Sequence, residues 1–223
     1  MKRIFIIGDS FASPSMKNVK DTFFVETWST LIKNNVKTYR TFINGQASID
    51  TQTILDTWLK LIPNLTNEDI VIVCLPSFSR IRLPLVKEKW FLTADNTYMR
   101  FVGGNINDIN NSVINYGNHI TEEFIKINKI LTSSDSYVEN YVEIVNTLLK
   151  LTKSKSYVFT WDKLNVDFIE DKHRLTKNLG DWETLHMEYN NTNGLRGTPN
   201  DFHWSTNMNE KFYNYIKEKL NLI

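Results

Sequence analysis

Residues able to do nucleophilic chemistry sit near opposite ends of this 223-residue chain. Close to the start, Gly8-Asp9-Ser10 follows the apolar stretch Arg3-Ile4-Phe5-Ile6-Ile7. A serine on the turn leaving a buried strand presents its hydroxyl at the strand's C-terminal end. Its backbone N–H can help to bind the oxyanion that forms when it attacks an acyl carbonyl. Close to the end, Asn200-Asp201-Phe202-His203-Trp204-Ser205 places a carboxylate and an imidazole just before a final amphipathic segment. Acyl transfer needs a base within hydrogen-bond reach of the serine and a carboxylate that holds the imidazole's tautomer. Each block alone is common, since Gly-Asp-Ser is also a turn whose side chains satisfy backbone groups. Their combination in one α/β chain of this length is far more specific.

Other chemistries find less support. His119, His173 and His186 show no metal-ligand spacing to one another or to Cys74. There is no Gly-x-x-x-x-Gly-Lys phosphate loop, no Gly-x-Gly-x-x-Gly and no Gly-x-Ser-x-Gly. Cys74 is the single cysteine, inside Ile70-Val71-Ile72-Val73-Cys74-Leu75, and reads as a buried strand thiol. A formal net charge of +1 gives no general pull toward nucleic acid or anionic membrane, so neither is expected as a partner. With 41% hydrophobic and 23% charged residues, disorder and fibrous architectures are excluded. The 13% aromatic content reads first as core and second as stacking surface for sugar rings. Trp161, Trp182 and Trp204 are candidates for either role.

The elements that must position these residues follow from hydrophobic pattern. Arg3 to Ile7, Thr38 to Ile43, Ile70 to Leu75 and Ser156 to Thr160 read as strands. Apolar spacing predicts helices from Asp21 to about Asn34, Thr51 to Leu61, Ile120 to Leu131, Tyr137 to Leu151 and Asn207 to Leu220. Phe11 to Lys20 reads as a polar loop, and Val166 to Ile169 as a short helix or strand. Strands alternating with helices predict an α/β fold with a mostly parallel sheet flanked by helices on both faces. One domain over 1–223 is expected, with an insertion around 82–134 whose role the pattern does not reveal. Ligands in such folds bind beyond the strand C-terminal ends, where Ser10, Asn44-Gly45 and Pro76-Ser77 should gather.

Gly8-Asp9-Ser10 after the first strand and Asp201…His203 before the last helix together resemble the SGNH/GDSL hydrolase family. The resemblance implies a three-layer, flavodoxin-like α/β/α domain in which Ser10 is the nucleophile, His203 its base and Asp201 the residue that orients His203. The family's commoner spacing puts the acid three residues before the histidine, a position held here by Asn200. The resemblance also implies an oxyanion hole built from the Ser10 backbone and a residue after the second strand. In Ile43-Asn44-Gly45-Gln46-Ala47-Ser48-Ile49 that residue is Gly45 or Gln46, and either can supply a backbone N–H. After the third strand the family carries Gly-x-Asn-Asp, whereas this chain reads Pro76-Ser77-Phe78-Ser79-Arg80. Phenylalanine stands where the asparagine donor would fall, and losing one such donor costs about a hundredfold in rate. Ser77, Ser79 or Arg80 are the candidates to replace it. Asn107-Asp108 has the wrong spacing from Gly104 and does not follow the strong strand.

The implied activity is hydrolysis of a carboxylic ester through an acyl-enzyme, with no metal or organic cofactor. The family spans esterases, small lipases, carbohydrate O-acetylesterases and acyltransferases. With no apolar lid in the sequence and many aromatics, a small acyl group such as acetyl on a carbohydrate is the expected substrate. The alternatives are a non-catalytic carbohydrate-binding or structural module on the same fold, motivated by the missing asparagine, and an O-acyltransferase. The first strand is too short and too soon interrupted for a signal peptide, and no apolar run reaches membrane-spanning length. Heavy Asn, Lys and Ile usage suggests an AT-rich genome such as a virus or phage, so a cytoplasmic or virion-associated protein is expected. Oligomeric state is not encoded in any feature of the sequence.

Overall fold

The computed structural model describes residues 1–17, 24–45, 50–76, 82–84, 98–100, 135–160, 169–176, 204 and 206–222. Its centre is a four-stranded parallel sheet made by β1 (Lys2–Gly8), β4 (Tyr39–Gly45), β5 (Ile70–Leu75) and β8 (Lys155–Thr160), in the order β4-β1-β5-β8. Two short antiparallel ribbons accompany it: β2 (Ser15–Lys17) with β3 (Phe24–Glu26), and β6 (Arg82–Pro84) with β7 (Tyr98–Arg100). The helices among the described residues are α1 (Trp28–Asn35), α2 (Thr51–Leu61), α3 (Asp135–Leu151) and α4 (Thr206–Lys219).

Side-chain alternation divides the interior into two apolar layers, one on each face of the sheet. Ile4, Ile6, Ile70, Ile72, Cys74 and Phe159 face Trp28 and Ile32 of α1 and Met208, Phe212 and Ile216 of α4. Ile7, Val71, Val73, Leu75 and Val158 face the other way, toward Ile54, Leu55 and Trp58 of α2 and Val145, Leu148 and Leu149 of α3. The result is the expected three-layer α/β/α arrangement. Every residue of β5 is buried, as a central parallel strand covered on both sides requires. This explains why Ile70–Leu75 is an unbroken apolar run rather than an alternating one.

Local chemistry sets the element ends. Asp50 caps α2 by accepting from the Thr53 N–H at 2.8 Å, and Pro63 sits in the 3-10 turn Ile62–Asn64 that ends it. At the N-terminal edge of the sheet, Arg3 grips the buried Asp69 with two bonds, Nε to Oδ1 at 3.0 Å and Nη2 to Oδ2 at 2.6 Å. Asp69 also accepts from the Thr66 N–H at 2.8 Å and the Thr66 hydroxyl at 2.9 Å. Burial pushes the Asp69 carboxyl up, but Arg3 and the Thr66 donors outweigh it and hold the group below the usual carboxylate range.

The sequence-based helix from Asp21 needs correction. Residues 24–26 form β3, paired with Ser15–Lys17, and the helix starts only at Trp28 with Thr27 as its N-cap. Phe24 and Trp28 share helical spacing, but ribbon pairing claims Phe24 for a strand. Nor is the stretch after Ser10 an open polar loop: residues 10–12 form a buried 3-10 turn, and β2 follows it. The helix expected at 120–131 and the strand or helix start at 166–168 lie outside the described residues. No helix among the described residues is long and apolar enough to cross a membrane.

Candidate active site

All four parallel strands point their C-terminal ends to one edge, and the chain leaves β1 there directly into Asp9-Ser10. Register fixes the neighbours, with Gly8 opposite Gly45 on one side and Cys74 on the other. Both glycines are required by space. A Cβ on Gly8 would lie 2.6 Å from the Cys74 Cβ and 2.9 Å from the Ala12 Cβ. A Cβ on Gly45 would lie 2.3 Å from the backbone C and O of Ala12. The turn that begins at Ser10 therefore folds back onto the ends of β4 and β5 with no room for a side chain between.

Asp9 shapes that turn. It is fully buried, and its Oδ1 accepts from the Phe11 N–H at 3.0 Å, capping the 3-10 helix at Ser10–Ala12. The Cys74 thiol also donates to Asp9 Oδ1, at 3.6 Å. Cys74 thus acts as a buried strand thiol beside the turn. Backbone bonds Ala12 N–H to Asp9 O at 3.1 Å and Ser13 N–H to Ser10 O at 3.2 Å close the turn. Ser10 is 7% exposed, so it keeps a small opening to solvent.

The turn is held from below by the start of α1. The Trp28 indole donates to Phe11 O at 2.6 Å, while the Thr27 and Ser29 hydroxyls donate to Ser13 O at 2.6 and 2.9 Å. The C-terminal part of the chain reaches the same place. Trp204 is buried, and its ring meets Phe11 edge-on at 5.7 Å and Phe212 at 4.6 Å. Residue 11 follows Ser10 and residue 204 follows His203 in the chain, so the two ends of the sequence meet here. Asn209 in the first turn of α4 joins this group, donating to Trp204 O at 3.0 Å and accepting from the Trp28 N–H at 2.9 Å.

Of the expected site residues, Ser10 and Gly45 are described and share the strand edge. Gln46, Ser77, Ser79, Arg80, Asn200, Asp201 and His203 lie outside the described residues, as do Trp161 and Trp182. Trp204 is a packing residue. Among the other histidines His173 is described; it is half-buried with Nδ1 2.9 Å from Ser156 O, away from this edge. Sequence reasoning missed Asn209. The signal was a polar residue on the apolar face of the last helix, in step with Phe212 and Ile216.

Fold and site together define a three-layer α/β protein with a serine on the turn after its first strand. No protein-family model matches the chain, and no curated protein matches it significantly. It is similar to a solved structure described as a member of the lipolytic protein G-D-S-L family from Veillonella parvula DSM 2008. The two share 9% identity with a TM-score of 0.46, over 99% of this chain and 98% of that one. The three-layer fold is defined by this chain's own strand pairing and layers.

Proposed function

We propose that this chain is a serine hydrolase acting on a carboxylic ester, with Ser10 as nucleophile, His203 as general base and Asp201 orienting the imidazole. The observation that carries the reading is the edge contact of Phe11 with Trp204. It brings the chain next to the serine and the chain next to the histidine into one buried cluster. The restricted opening at Ser10 favours a small acyl group, and the aromatic-rich composition favours a carbohydrate as the alcohol, acetyl esters being the first class to try.

In this mechanism the Ser10 hydroxyl adds to the ester carbonyl carbon as His203 takes its proton. The oxyanion is stabilised by the Ser10 backbone N–H with that of Gly45 or Gln46, and by a side-chain donor from Ser77, Ser79 or Arg80. The C–O bond to the alcohol then breaks, and His203 returns the proton to the leaving oxygen. Water, deprotonated by His203, attacks the acyl-enzyme; the carboxylic acid leaves and Ser10 recovers its proton. In support of this reading, the Ser10 and Gly45 backbone lies at the strand C-terminal edge, where the crowding at Gly8 and Gly45 confines the turn.

Hydrolysis of p-nitrophenyl acetate and of acetylated sugars by wild type and Ser10→Ala tests the reading. Turnover confined to wild type is the expected result. Equal residual rates in both proteins would leave a binding or structural module as the better account. Transfer of acetyl to an added sugar in excess of hydrolysis would instead indicate an O-acyltransferase with the same triad.

A further inference from the structure

We infer that Asn209 is a positioning residue that sets where the histidine-bearing segment stands relative to Ser10. The inference rests on the hydrolase reading above and deepens it. The N-terminus of α1 is a common frame for both halves of the site. Toward the head of the chain it binds the serine turn through Trp28, Thr27 and Ser29. Toward the tail, the Asn209 amide links it to the Trp204 carbonyl.

The amide suits this task because its two ends differ in chemistry. Its oxygen accepts the Trp28 N–H, one of the first-turn donors for which a helix has no partner of its own. Its NH2 donates to the carbonyl of Trp204, one peptide unit beyond residue 203. Asn209 is 4% exposed, so water does not compete freely for either bond. A hydrocarbon of the same size would fill the space and lose the linkage. An aspartate would keep the acceptor toward Trp28 and, when ionised, turn a second acceptor toward the Trp204 carbonyl. Asn209 therefore couples residue 204 to the same helix terminus that fixes the serine turn. Displacements of about 1 Å in such constellations cost on the order of a hundredfold in rate.

The test compares wild type, Ser10→Ala, Asn209→Asp and Asn209→Ser by thermal melting and by kcat and KM for p-nitrophenyl acetate from pH 5 to 9. Asn209→Asp should remain folded and lose roughly tenfold to a hundredfold in kcat with KM little changed. Its loss should deepen as pH rises, because the protonated carboxyl can still donate to Trp204 O and the carboxylate cannot. Asn209→Ser, uncharged and too short to span both partners, should lose kcat by a similar factor at every pH, and it decides the matter if the aspartate variant does not fold. A folded variant whose kcat and pH profile match wild type overturns the inference and leaves the hydrolase reading intact. Activity equal in wild type and Ser10→Ala overturns both.

Discussion

The two ends of the central sheet are built on opposite plans. At the N-terminal edge, Asp69 is saturated: Arg3 and Thr66 give it four hydrogen bonds, and the strand starts are tied together around it. At the C-terminal edge, closeness replaces saturation. Gly8 and Gly45 let the Ser10 turn press onto its neighbours, and Asp9 caps it from inside the protein. The first edge is held by strong pairings whose loss lowers stability. The second is held by the lack of room, so small changes there move Ser10. One sheet thus holds its two ends by different means.

Substitutions at the C-terminal edge should cost activity, whereas those at the N-terminal edge should cost stability alone. The largest expected effect is Ser10→Ala, which should lower kcat for ester hydrolysis by about 10⁴-fold or more while leaving the melting temperature within a degree or two. Next comes Gly45→Ala. Its Cβ collides with backbone rather than with a flexible side chain, so the Ser10 turn must shift. A kcat loss of about a hundredfold is expected, with destabilisation of about 1–3 kcal/mol, read by kinetics and denaturant melts. At the other edge, Asp69→Ala should cost about 2 kcal/mol by leaving the Thr66 donors unpaired, and should leave kcat of the folded protein unchanged.

The Asp69 carboxyl also makes the N-terminal edge sensitive to acid. Its folded value lies below its unfolded value, so the unfolded chain binds this proton more readily. The stabilisation it gives is therefore fully present above about pH 4, the ordinary carboxylate range, and fades as pH falls through the lower folded value. Melting temperatures of wild type and Asp69→Asn should converge below that range and diverge above it. The smallest effect belongs to the exposed Lys172–Glu170 pair, where Glu170→Gln should change neither melting temperature nor kcat measurably.

How much of this was legible in the sequence depended on how local the cause was. β5 was readable from its own six residues, because a strand buried on both faces must be apolar throughout. α2 was readable from Ile54, Leu55 and Trp58 in helical step, with Pro63 to stop it. The place of Ser10 at the C-terminal edge was readable because it directly leaves the first strand. The β2–β3 ribbon was not, since three-residue strands carry no periodic signal and their pairing is decided elsewhere. Asn209 stood out in α4 as a polar residue in step with Phe212 and Ile216, but its partner Trp28 lies 181 positions away, and no spacing within α4 announces it.

The central claim is that a histidine from the tail of the chain activates the serine at its head. Intact-protein mass spectrometry after exposure to a serine-directed fluorophosphonate tests it most directly, using wild type, Ser10→Ala and His203→Ala. A single phosphonyl adduct on the peptide that contains Ser10, absent from Ser10→Ala and strongly slowed in His203→Ala, is the expected result. Labelling at the same rate in all three folded proteins, or an adduct on another residue, would contradict it.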